Sequence, residues 1–395
     1  MTNLKKHIAV LHTSLNGAGG AEKLALTLIE GLKEQGFEVE LVTIEATDWK
    51  KISRVFKFKG NDVKEIHIPP FKAMPTMYAK FLNWLSLGVL APATLRRRYD
   101  LTILTSSLPL PTLVDIHYLH FPDFIPAFVR IYHPKYLKPA LAAYLTPHDA
   151  LVNFLIKTTR SMERRPLLLT NSRFSRLVIK RFLGLESTVV YPPVDVEKYL
   201  PLSRIKYRKN IVVTISRIEE GKHLETIVEV AKAIKDAKFV IIGTTRQVDY
   251  LRMLKSKAKR ANIEDRLILL PNADEEVKVE IMSKAKIYLH TMKFEHFGIA
   301  VVEAMSAGIV PVVHRSGGPW MDILEEKQGE VGYAYTDIDE CVKVIKELLV
   351  DDKLRFEIAK RAIHKARIYD KNVFKRNIIS IVRSYQRNTY EKILL

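Results

Sequence analysis

The amino-acid sequence predicts an α/β protein built from two doubly wound domains. Three observations carry that reading. A strand, a glycine-containing loop, an amphipathic helix and a second strand follow one another within residues 7–44. A proline pair and a polar, basic run then break the texture between Tyr191 and Asn210. Beyond the break, apolar runs of about five residues alternate with helical patterns of about ten, the lengths usual for such domains.

The first strand is His7 to His12, a continuous apolar run of the kind buried on both faces. A helix is expected from Ala21 to Gln35, because Leu24, Leu28 and Leu32 share a face and Gly36 ends the pattern. Further strands are read at Glu38–Ile44, Leu101–Thr105, Leu113–Ile116, Leu167–Thr170 and Thr188–Tyr191. In the second half the strands are Ile211–Ile215, Lys238–Ile242, Leu267–Leu270, Lys286–His290 and Val310–Val313. Helices between them cover Leu224–Lys235, Val248–Ala261, Glu275–Ser283 and Ile299–Ala307. The expected division is residues 1–195, residues 196–370, and a terminal helix over 371–395 that packs back on the first domain. The expected ligand position is the cleft between the carboxyl ends of the two sets of strands.

Composition narrows the function classes. One cysteine among 395 residues excludes a disulfide framework and a cysteine-clustered metal site, and suits a reducing cytosol. The formal charge of +19 calls for anionic partners, which include nucleic acid, lipid headgroups and phosphorylated substrates. That charge is uneven. Lys50 to Arg181 carries 22 Lys or Arg against 7 Asp or Glu, so a third of the chain holds most of the excess. The same stretch contains the run Phe81 to Leu95 followed by Arg96, Arg97 and Arg98, too short and too polar for a membrane span. No helix-turn-helix, zinc-finger or RNA-recognition signature accompanies the basic residues, which makes nucleic acid the distant alternative.

Five segments could carry chemistry. Glu295-His-Phe-Gly-Ile-Ala-Val-Val-Glu303 runs from a strand into a helix, where the amides of Phe297, Gly298 and Ile299 would suit a phosphate. Glu303 can accept two hydroxyls, as from a ribose, and Glu295 sits where a second polyol could be held; read alone, both also fit solvated helix-end charges. Arg217 and Lys222, on a glycine-containing loop after a strand, make a diphosphate clamp or two exposed basic residues. The loop Asn16 to Glu22 contains Gly19 and Gly20 but does not match the dinucleotide spacing, which argues against a nicotinamide enzyme. Asp115, His117 and His120 lie in one strand-to-loop passage, with spacing too irregular for a zinc motif. Ser316-Gly-Gly-Pro319 reads as a helix start.

In this order, Gly-Gly-Ala-Glu, Ser-Arg…Gly-Lys and Glu-x-Phe-Gly…Glu with seven residues between the glutamates, the chain resembles the retaining GT-B glycosyltransferases of family GT4. His-Phe-Gly-Ile-Ala-Val-Val-Glu-Ala-Met, Ser-Gly-Gly-Pro and Tyr118-Leu-His-Phe-Pro122 are most similar to its α-1,2-mannosyltransferases of asparagine-linked glycosylation. The resemblance implies two Rossmann-like domains facing each other across a cleft. It also implies roles: Arg217 and Lys222 on the donor diphosphate, Glu303 on the ribose, Glu295 with the Phe297–Ile299 amides on sugar and phosphate. Gly19 and Gly20 would approach the diphosphate, His120 the reacting carbon, and Asn272 with Ala273 the base. It implies a nucleotide diphosphate sugar as donor, GDP-mannose favoured over UDP-glucose, with no cofactor and no metal. The implied acceptor is a lipid-diphosphate-linked glycan, handled peripherally on the cytoplasmic face of a membrane; a soluble glycan acceptor is the alternative. Phe81, Trp84 and Leu85 would then enter an anionic bilayer surface while Arg96, Arg97 and Arg98 meet headgroups.

Overall fold

The computed structural model describes residues 7–58, 63–70, 72, 79–95, 97–132, 143 and 145–394. It divides into two units, Met1–Pro193 with Asn372–Leu395, and Val194–Lys371.

Among the described residues the first unit holds seven parallel strands: β1 His7–His12, β2 Glu38–Thr43, β3 Lys64–His67, β4 Leu101–Leu104, β5 Ile116–Tyr118, β6 Leu167–Thr170 and β7 Thr188–Val189. Their order is β3-β2-β1-β4-β5-β6-β7. Helices cover both faces, so Ile8 to Leu11 are completely buried, and the strand's unbroken apolar run follows from that burial. The helix Gly20–Glu34 lays Leu24, Leu28 and Leu32 on the sheet and ends before Gly36, whose φ of +82° is cheap for glycine.

The second unit holds six parallel strands: β8 Lys209–Ile215, β9 Lys238–Gly243, β10 Leu267–Pro271, β11 Ala285–His290, β12 Val310–His314 and β13 Tyr333–Tyr335. Their order is β10-β9-β8-β11-β12-β13. The basic connector is fastened to this unit by Arg208, whose guanidinium donates to Met282 O at 3.0 Å and Ala285 O at 2.9 Å, carbonyls at a helix end.

Three expectations move. The strand expected at Leu113–Ile116 lies at Ile116–Tyr118, because Asp115 turns its carboxylate onto Thr102 N and Oγ1 at 2.9 and 2.8 Å while Leu113 stays half exposed. The edge strands β3 and β13 escaped notice because Lys-Glu-Ile-His and Tyr-Ala-Tyr are too short to show a pattern; pairing with β2 and β12 makes them strands. The run after Phe81 is helical over Ala79–Asn83, Trp84–Leu90 and Ala91–Leu95, the middle piece wound as a π-helix. Among the described residues no helix is long and apolar enough to cross a membrane.

The last helix, Lys371–Leu394, belongs to the first unit, where Phe374, Ile378, Ile379 and Val382 join the cluster around Ile8, Val10, Leu28 and Leu32. Lys375 fixes it by ion pairs to Glu30 and Glu34, both at 2.7 Å. Phe374 is 2% exposed, so Phe374→Ala is expected to remove about 3–5 kcal/mol of stability, measured by denaturant unfolding of the full chain.

Candidate active site

In the second sheet β8 has β9 on one side and β11 on the other, so the loops leaving β8 and β11 part company and open a crevice at the strand ends. Lys222 comes from the first loop and Glu295 from the second. Lys222 Nζ donates to Glu295 Oε2 at 2.7 Å and to Met292 Sδ at 2.9 Å. Thr291 Oγ1 donates to the Lys222 carbonyl at 2.7 Å and clips the loops together. Both charged side chains are largely buried. Burial alone would raise the Glu295 carboxyl, but Lys222 first, then His290 and His296, hold it well below the usual carboxylate range. His290, which closes β11, is buried among these groups and pushed down to about 4, chiefly by burial.

The helix Ile299–Ser306 starts directly beyond. Its cap Gly298 has φ +99°, a conformation that a side chain would strain. The turn Gly317-Gly318 packs against this start so closely that a Cβ on either would lie 2.4 Å from a carbonyl oxygen, Glu295's or His296's. Gly318 N donates to Glu295 O at 2.7 Å, and Phe294 N donates to Ser316 Oγ at 2.9 Å. The phenyl ring of Phe297 faces inward onto Tyr369 at 5.2 Å, so Phe297 brings only backbone to the crevice while anchoring the loop.

Glu303 lies one turn into that helix, 9% exposed, with Oε2 accepting from Lys278 Nζ at 2.8 Å. Lys278 also donates to Tyr199 Oη at 2.7 Å and sits over the Tyr199 ring at 4.9 Å. Tyr199 in turn donates to Glu275 Oε1 at 2.8 Å, which Lys198 meets at 2.6 Å. A hydroxyl ligand on Glu303 would therefore share the carboxylate with a lysine that sequence reasoning missed; the spacing Glu275-x-x-Lys278 reveals a helix pair, not its reach to Glu303. Asn272 sits at φ +55°, with its amide N donating to Gly243 O at 2.8 Å and its Oδ1 accepting from Thr245 N at 3.1 Å. Ala273 is half-buried beside it. Arg217 is exposed, its guanidinium 3.0 Å from Glu219. Of the expected clamp, Lys222 is therefore already committed to Glu295, while Arg217 reaches solvent.

In the first unit the strand order likewise reverses beside β1, and the loops after β1, β4 and β5 converge. Gly19 caps the helix Gly20–Glu34, and its amide donates to Glu22 Oε2 at 2.7 Å. That amide, expected to face a diphosphate, is occupied by the helix's own carboxylate; Gly20 is exposed as the first helical residue. Glu22 lies 3.9 Å from His12 Nε2. Although burial opposes it, the nearby His12 and the Gly19 amide hold the Glu22 carboxyl down. His12 Nδ1 reaches Thr105 Oγ1 at 2.8 Å, His120 Nε2 donates to Thr105 O at 2.9 Å, and His117 Nε2 donates to Ser106 O at 2.9 Å. His12 and Glu22 enter this group only through the fold, since the sequence shows them ten residues apart on a strand and a helix.

The expected membrane residues divide. Phe81 packs its ring edge-on against His148 at 5.5 Å, and Trp84 donates Nε1–H to Pro111 O at 2.6 Å; both serve the unit's interior. The exposed apolar side chains are Leu82, Leu85 and Leu90. Arg98 meets Glu40 at 2.9 Å, Arg97 is exposed, and Arg96 lies outside the described residues.

His117, His290 and His314 are each pushed down to about 4 from 6.5, chiefly by burial. Each stays neutral in the fold while the unfolded chain binds its proton near pH 6.5. Over that interval the unfolded state holds more protons, so stability falls as the pH drops from 6.5 toward 4. Thermal melts across this range are expected to show that fall, and His117→Gln, which keeps a donor for Ser106 O, to make it shallower by one proton.

Residues 18–198 match the model for Glycosyltransferase Family 4, and residues 195–365 that for Glycosyl transferases group 1. The chain is 28% identical over 225 residues to the GDP-Man:Man(3)GlcNAc(2)-PP-Dol alpha-1,2-mannosyltransferase of Dictyostelium discoideum, an alignment covering 53% of this chain and 44% of that one. It thus spans less than half the length of that relative. Against the Alpha-1,3/1,6-mannosyltransferase ALG2 of the same organism it is 26% identical over 374 residues, covering 82% and 85%. The solved structure of Anabaena Alr3699/HepE in complex with UDP-glucose superimposes with a TM-score of 0.68 over 96% of this chain and 100% of that one, at 18% identity. Two parallel-sheet α/β units, matched one after the other by these two models from residue 18 to residue 365, place the chain in the family-4, group 1 glycosyltransferases of the GT-B fold.

Proposed function

We propose that the protein is a retaining hexosyltransferase. It moves a hexose, mannose in preference to glucose, from a nucleoside diphosphate sugar to a lipid-diphosphate-linked oligosaccharide. The observation that carries this reading is the Lys222–Glu295 pair at the strand-order reversal, beside the start of the helix at Gly298. A buried ammonium, a helix N-terminus and the exposed Arg217 supply positive potential for a leaving diphosphate, and Glu295 supplies an acceptor for sugar hydroxyls. The activities that the Dictyostelium relatives are named for, both mannosyltransferases and one of them acting on a dolichol-linked glycan, support mannose and a lipid-linked acceptor.

The reaction is a front-side displacement. The bond from sugar C1 to the diphosphate oxygen breaks as the acceptor oxygen bonds C1 on the same face. The acceptor proton passes to the leaving phosphate oxygen, while Lys222 and Arg217 stabilise the charge that collects there. The residues present fit this without a cofactor or metal, since the cationic groups needed are already in the chain. Glu303 holds the ribose through the oxygen that Lys278 leaves open, and the Asn272–Ala273 loop contacts the base. In the first unit, His120 has its Nε2 fixed on Thr105 O, and its role toward the reacting carbon is the one that the family resemblance implies. The site of action is the cytoplasmic face of a membrane with anionic lipids.

Three experiments test this. With a panel of GDP- and UDP-hexoses, the wild type should transfer from GDP-mannose, and Arg217→Ala and Lys222→Ala should each lower the rate by about a hundredfold or more; near wild-type transfer by both overturns the clamp. A soluble glycan turned over as well as a polyprenyl-diphosphate glycan would overturn the lipid-linked acceptor. Flotation with phosphatidylserine vesicles should retain the wild type and lose the variant with Leu82, Leu85 and Leu90 all replaced by Ser, at unchanged melting temperature. Equal flotation of the two overturns the membrane contact.

A further inference from the structure

Glu303 does not stand alone. It projects from the helix Ile299–Ser306 and is met by Lys278, on the helix Glu275–Lys284, whose Nζ donates to Glu303 Oε2 at 2.8 Å. The two side chains are 12% and 14% exposed, so little water competes for this contact. Lys278 is itself fixed from a third element, the helix Val196–Tyr199. Its Nζ donates to Tyr199 Oη at 2.7 Å, lies 4.9 Å from the centre of the Tyr199 ring and stands 3.7 Å from Glu275 Oε1. Tyr199 passes its own proton to that Glu275 oxygen at 2.8 Å, and Lys198 donates to the same oxygen at 2.6 Å.

The direction of each hydrogen is settled by these partners. Tyr199 is 2% exposed; burial first, then the charges of Glu303 and Glu275, push its hydroxyl up, so it stays protonated and offers Lys278 a lone pair. Burial by itself would lower Lys278, yet Glu303 and then Glu275 outweigh it and keep the ammonium charged. Glu303 Oε2 is thus taken, while Oε1 has no partner among the described residues. An untied glutamate loses rotamer freedom when a ligand orders it; one held beforehand binds hydroxyls at lower entropic cost.

We infer that Lys278, held by Tyr199, is the positioning residue that makes Glu303 select ribose over deoxyribose, by tying down Oε2 and leaving Oε1 to accept from the sugar diol of the nucleotide. This rests on the reading of Glu303 as the ribose carboxylate and goes beyond it in naming what gives that carboxylate its selectivity. A lysine that served only packing and charge balance would act on folding and on every nucleotide alike. One that aims Glu303 acts on the nucleotides that carry the hydroxyl.

Calorimetric titration of the full chain with GDP and UDP, then with the 2′- and 3′-deoxy forms of whichever binds tighter, tests this. The wild type should bind the ribo form about ten- to a hundredfold tighter than at least one deoxy form. Lys278→Met, which keeps the length of the side chain without its charge, should bind ribo and deoxy forms within about threefold of each other, the loss falling on the ribo form. Lys278→Arg, which restores a cation, should recover part of the preference. Should the methionine variant not fold, Tyr199→Phe decides instead: it removes only the hydroxyl that fixes Lys278, and should cut the preference severalfold. A deciding variant that keeps the wild-type preference, or weakens ribo and deoxy forms equally, overturns the inference. A wild type that binds both forms alike takes Glu303 off the ribose, and this inference with it, but leaves the diphosphate clamp standing. A wild type that binds no nucleoside diphosphate overturns the donor reading as a whole.

Discussion

A lysine and a glutamate taken out of water together organise the second unit's crevice. Lys222 leaves β8 and Glu295 leaves β11, on either side of the point where the strand order reverses. Desolvation opposes both charges there, and their contact is the main offset. The loops carrying them must therefore stay in register with each other. Thr291, the Gly317-Gly318 turn and the inward ring of Phe297 hold that register by backbone contact and packing. The helix beyond Gly298 starts where it does because these contacts leave its first turn beside the pair.

The same solution recurs nearby with other groups. Glu303 is paired with Lys278 in a buried place, and Lys278 is steadied in turn by the hydroxyl and ring of Tyr199. In the first unit, Glu22 turns back to Gly19 and leans toward His12, filling a helix start with the protein's own carboxylate. Crevices at strand ends are where backbone groups run out of partners, and in this protein side chains meet that demand in pairs.

Charge has a different logic over the chain as a whole. Most of the excess positive charge lies between Lys50 and Arg181, in the first unit, whereas the Lys222–Glu295 pair belongs to the second. Part of it is consumed internally, as when Arg98 and Lys64 both meet Glu40 and Arg130 meets Asp149. The remainder shares the first unit with the exposed leucines at 82, 85 and 90, the combination that favours an anionic lipid surface.

The sequence by itself determined the parallel sheets, the family, and the segments that border the crevice. Buried strands read as unbroken apolar runs, and glycines at close approaches and left-handed turns cannot be disguised; Gly298, Gly317 and Gly318 mark such places in the one-dimensional string. Short edges such as β3 and β13 were illegible because their partners, not their composition, make them strands. Partnership was illegible too. That Lys222 would be tied to Glu295 while Arg217 stayed exposed, that Phe81 and Trp84 would face the interior, and that Lys278 would reach Glu303 depend on which side chains meet across elements. A residue's chemistry is local, whereas its desolvation and its partner are set by the whole fold, and only the tertiary structure decided those.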